Sequence, residues 1–90
     1  MDEYELGRQQ QRGVKAQELL NSDILKEAFT YLNDEYLRAW RNTRVRDTEP
    51  REKLWQAIHI VQLVHDHLNK WAVDGRIASK DLASIKYLRR

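Results

Sequence analysis

The chain has no cysteine, one proline, three glycines and a single phenylalanine in 90 residues. Each shortage removes a class of protein. Without cysteine there are no disulfides and no thiolate metal sites, and an intracellular setting fits. So few glycines and prolines cannot supply the many tight turns of an all-β domain. No apolar run approaches the roughly 18 residues that span a bilayer, so no membrane role is expected. The opening "MDEYELGRQQ" is acidic and polar, unlike a secretory signal peptide. What is present is charge, at 33% of residues, over an apolar share of 41%. That balance describes a folded domain rather than a disordered segment. The length allows one domain, read as residues 1–90, with a core of modest size.

A net charge of +2 conceals an asymmetry: residues 1–73 carry 11 Lys or Arg against 12 Asp or Glu, whereas residues 74–90 carry five against two. Any positive field therefore comes chiefly from the C-terminal end.

The strongest periodicity follows "RVRDTEPREKLW" at 44–55. Pro50 suits the first helical position, Glu49 before it is pushed out of the α region, and Asp47, Thr48 and Glu49 all suit a helix start. Leu54, Ile58, Val61, His65, Leu68 and Ala72 then recur at steps of four and three, widened by Ala57, Val64 and Trp71. This predicts a helix over about 50–73, ended by a left-handed Gly75. A second helix is predicted over about 23–42, capped by Ser22 or Asp23, with Leu25, Phe29, Leu32, Tyr36, Ala39 and Trp40 on its apolar face. Val14, Ala16, Leu19 and Leu20 support a shorter helix at 12–20. Gly7 and Gly13 interrupt the residues before it, so 1–7 are read as frayed and the fraying is allowed to reach residue 11. Ser79 is expected to cap a short last helix bearing Leu82, Ile85 and Leu88. The fold class is all-α, a small helical bundle built on an antiparallel pair of long helices with shorter terminal ones.

Chemistry is harder to find. His59, His65 and His67 are six and two residues apart, whereas a helical metal site places its ligands three or four apart. Carboxylates are scattered, no nucleophile–base pair has a scaffold, and the glycines are too dispersed to cradle phosphate. No catalytic residue, metal ligand or cofactor site is assigned, and the chain is read as not an enzyme. Two surfaces remain. Trp55, Ile60 and Leu63 fall outside or at the edge of the apolar stripe and are candidates for a protein interface. Arg38, Arg41, Arg44 and Arg46, with Arg89 and Arg90 at the terminus, are the candidate nucleic-acid contacts, with Trp40 among them able to stack on a base. The acidic Asp34, Glu35, Asp47 and Glu49 nearby dilute that field.

Taken in order, "RGVKAQELL", "DILKEAFTYL", "YLRAWRNT", "RDTEPREKLW" and "DGRIASKDL" are similar to a group of small helical proteins of tailed bacteriophages, encoded near virion structure and DNA-packaging genes. The likeness covers roughly residues 12–82. It implies a phage or prophage origin and a virion or assembly role, with the protein in the infected bacterium's cytoplasm or the virion. It lies in helix faces and caps, so no binding or catalytic residue is carried over. The resulting expectation is a non-enzymatic interaction protein whose partner is itself or another phage or host protein. A nucleic-acid-binding accessory protein is the second reading, and an inhibitor of a host protein the third.

Overall fold

The computed structural model describes residues 2–89, and within them every regular element is helical. Three helices follow one another: α1 Glu3–Leu20, α2 Asp23–Arg41 and α3 Thr48–Leu88.

Their starts obey local chemistry. Asp2 caps α1 by accepting a hydrogen bond from the Glu5 amide at 2.8 Å, and Glu3 and Glu5 suit the positive end of the helix. This cap explains why α1 begins at Glu3 and not near residue 12, so the expected fraying over 1–11 does not hold for the described residues. Ser22 caps α2 through the Leu25 amide at 3.3 Å. Before α3, Asp47 turns its carboxylate back to the Arg44 amide at 2.9 Å while its carbonyl accepts the first helical bond, from Arg51, at 3.1 Å. Pro50 sits in the first turn, where its missing N–H goes unused. Glu49 is helical despite preceding proline, which corrects the expectation that it stays outside.

The largest correction concerns Gly75. It does not end a helix: α3 passes through it to Leu88, and no described residue has positive φ. The expected separate helix beginning at Ser79 is the continuation of α3. The reason is packing. A Cβ placed on Gly75 would lie 2.7 Å from the Gly13 Cα, and one on Gly13 would lie 2.6 Å from the Gly75 Cα. Backbone meets backbone there, and only glycine leaves room for it.

The chain forms two compact units. The first comprises Met1–Asn21 and His67–Arg90, the second Ser22–Asp66. In the first, Leu6, Gly13 and Ala16 of α1 are buried, as are Ala72, Gly75 and Ala78 of α3. Around the glycine contact Gln10 donates to the Ser79 hydroxyl at 3.0 Å and Arg76 to Gln17 at 3.1 Å, and towards the far end of the pair Arg89 meets Glu3. Trp71 receives the Arg12 guanidinium on its face at 4.9 Å and the His67 ring at its edge, also at 4.9 Å.

The second unit is built differently. Phe29 meets His65 edge to face at 5.5 Å, and Trp40 and Thr43 both meet Arg51. Its apolar residues of α2 and α3 (Leu25, Phe29, Tyr36, Leu37, Trp40, Leu54, Ala57, Ile58, Val61) are only half-buried. No residue between Ser22 and Asp66 is buried.

Candidate interaction surface

In the second unit, Trp40, Thr43 and Arg51 interlock where α2 ends and α3 begins. The Thr43 hydroxyl donates to the Trp40 carbonyl at 2.6 Å, satisfying one of the free carbonyls of the helix end. Arg51 donates to the Thr43 oxygen at 2.8 Å and lays its guanidinium over the Trp40 ring at 4.2 Å. A cation fixed on the ring face occupies the position a stacked base would take. Sequence reasoning did not single out Arg51. The only available signal was an arginine in the first turn of α3, a short loop away from the "AWRNT" that ends α2.

The arginines named as nucleic-acid contacts fall in both units. Arg38 pairs with Glu35 at 2.9 Å on the same helix. Arg41, Arg44 and Arg46 are exposed, with Arg44 held at its backbone by Asp47. Arg89 pairs with Glu3 in the first unit. Arg90 lies outside the described residues.

Trp55 and Ile60 are each 59% exposed and Leu63 is 50% exposed. Ile60 and Leu63, three residues apart, are neighbours on α3, whereas Trp55 lies apart from Ile60. At roughly 100° per residue, Trp55 and Ile60 are about 140° apart around α3. Trp55 stacks on His59 at 5.3 Å, with the two rings 11° from parallel. Ile60 neighbours Val64, which is 49% exposed, one turn along.

The contacts Phe29–His65 and Trp40–Arg51 fix the facing lines of α2 and α3. To one side of those lines, helical spacing puts Leu25, Leu32, Tyr36 and Ala39 beside Ala57, Val61 and Val64. No charged residue interrupts these positions. To the other side lie Lys26, Asn33 and Leu37 with Trp55, Gln62 and Asp66. The first side is a continuous apolar face. Leu32 and Val64 were assigned to the core by periodicity, and they stand open at 38% and 49%.

Each histidine sits against an aromatic ring, and among the described residues no group of three or more His, Asp or Glu could hold a metal ion. No described helix is long and apolar enough to cross a membrane. No protein-family model, curated protein or solved structure matches the chain.

Proposed function

We propose that this is a non-enzymatic helical interaction protein, in which the second unit presents half of an antiparallel helical bundle to a protein that completes it. One observation carries the reading: across 45 residues with a strongly periodic apolar pattern, apolar side chains are partly covered and none is fully buried. An amphipathic helix contributes stability by burying its apolar stripe, and a stripe left half-covered is the mark of an incomplete layer. Self-association and docking onto a larger assembly both satisfy it. A phage origin and a role in virion structure or assembly accord with this reading through the sequence resemblance, as does action in the infected cell's cytoplasm or the virion.

Nucleic-acid binding is the second reading, supported by the exposed Arg41, Arg44 and Arg46. Light scattering of the pure protein, paired with a DNA titration at several salt concentrations, separates the two. The expected result is an assembled protein with little DNA affinity near physiological salt. Tight DNA binding by a monomer, lost with a shallower salt slope on replacing Arg41 and Arg44 by alanine, would reverse the ranking.

A further inference from the structure

We infer that the charged outer row of α1 docks, antiparallel, on the outer row of α2 of a second chain. This contact is separate from the open apolar side of the second unit and does not depend on the reading above.

Helix spacing defines the two rows. On α1, Glu5, Arg8, Arg12, Lys15 and Leu19 follow at steps of three and four, so they share one face, roughly 120° round the helix from Gly13. On α2, Ile24, Glu27, Tyr31, Asp34 and Arg38 repeat the same steps on the side opposite Phe29, the residue that meets His65 of α3. Every residue of both rows is exposed. Arg8, Lys15, Glu27 and Asp34 have no ion-pair partner among the described residues. Ile24 and Tyr31 are large side chains left 73% and 66% exposed, away from the α2 face that meets α3.

Laid antiparallel, the rows are complementary at each level. Leu19 faces Ile24, Lys15 faces Glu27, Arg12 faces Tyr31, Arg8 faces Asp34 and Glu5 faces Arg38. The first pair is apolar, three pairs oppose unlike charges, and the central one sets a guanidinium against an aromatic ring. Arg8 and Lys15 lie about 10 Å apart along α1, as Glu27 and Asp34 do along α2, so both ion pairs close in one register. Arg38 bonds Glu35 at 2.9 Å within the chain, and its five N–H donors leave some for Glu5.

Other arrangements of the same rows are worse. A parallel alignment keeps the two inner ion pairs but sets Glu5 against Ile24 and Leu19 against Arg38. Antiparallel α1 on α1 opposes Arg8 and Lys15, and α2 on α2 opposes Glu27 and Asp34, like charge to like. The complement of the α1 row is thus the α2 row of another copy, which makes the contact heterologous. Exposed ion pairs are individually weak and screened by salt, so the association is loose and salt-sensitive.

Charge reversal in two halves tests it. One chain carries Arg8→Glu and Lys15→Glu, another Glu27→Lys and Asp34→Lys, with far-ultraviolet dichroism checking that helicity is kept. Sedimentation compares the unaltered protein with each variant alone, with the two mixed, and with one chain bearing all four changes. Association of the unaltered protein should weaken about tenfold or more between roughly 0.01 M and 1 M salt, as the screening length falls from about 30 Å to about 3 Å. Each half-reversed chain alone should lose that salt-sensitive part. The mixture and the fourfold variant should regain it, because unlike charges face each other again. Arg8→Gln with Lys15→Gln, which introduces no repulsion, should weaken association less than the reversal does. A mixture that associates no better than its components overturns the contact, as does a half-reversed chain with unchanged salt dependence. Association indifferent to salt and to all four changes also overturns it, while leaving the reading of the second unit intact. If Arg8→Glu with Lys15→Glu lowers affinity for duplex DNA and leaves the mass unchanged at every salt concentration, the α1 row meets a polyanion and the second copy is overturned.

Discussion

The two units use the same kind of helix and reach opposite solutions. In the first, glycine and alanine bring two backbones together until little can pass between them, and Ala16, Ala72 and Ala78 are buried with almost no side-chain bulk, Leu6 being the one large residue buried with them among the described residues. In the second, phenylalanine, tyrosine, tryptophan, isoleucine and leucine hold the helices in contact, yet none of these residues is buried. Small residues can complete a two-helix contact because close approach alone excludes water. Large ones at a two-helix contact always leave a flank exposed, and that flank waits for a third surface. On the proposed function, bulk without full burial marks the side a partner would cover, whereas burial without bulk is a finished joint.

Replacement of Gly75 by alanine should give the largest effect, because the new Cβ meets Gly13 backbone that cannot rotate away. We expect a net loss of about 2–3 kcal/mol, even after the roughly 1 kcal/mol that alanine returns in helix propensity. Urea unfolding measures it; a stabilised variant would mean that the first unit is not tightly joined. In the second unit, Ile58→Ala should cost about 1–2 kcal/mol, below the full core value because the residue is half-buried. Its melting temperature should rise with protein concentration more steeply than that of Gly75→Ala. Equal dependence in both variants would erase the distinction between the units.

Arg51→Ala is the next step down. It removes the cation from Trp40 and the donor from Thr43, for about 1 kcal/mol. Arg51→Lys should recover little, since the ammonium lacks the flat guanidinium that covers the ring. Recovery of full stability by lysine would reduce the contact to simple charge. The smallest effect has the opposite sign. A Cβ on Gly7 meets nothing within 4 Å, so Gly7→Ala should stabilise by about 0.5–1 kcal/mol. A loss there would show that α1 is covered at Gly7 by something outside the single chain.

The helical class and the starts of α2 and α3 were legible, because Ser22 and the Asp47–Pro50 stretch act through neighbours a few residues away. The fate of Gly75 was not. Glycine both ends helices and lets them touch, and the choice between those roles is made by Gly13, far off in sequence. The start of α1 was missed for a related reason: two glycines lowered its propensity, and a local cap plus a distant packing partner outweighed them. For the surface, periodicity separated Trp55 from the main stripe but could not say which stripe residues the chain itself would cover. Leu32 and Val64 have the spacing of core residues and lack the cover. Spacing encodes which face is apolar; it does not encode whose atoms lie against it.

Native-state hydrogen exchange, resolved by residue and repeated across a hundredfold range of protein concentration, addresses the contrast between the units most directly. Amides of 22–66 should gain protection as concentration rises, while those of α1 and of α3 beyond His67 keep theirs unchanged. Strong protection of 22–66 that is the same at the lowest and highest concentrations would contradict the account, because the second unit would then be complete on its own.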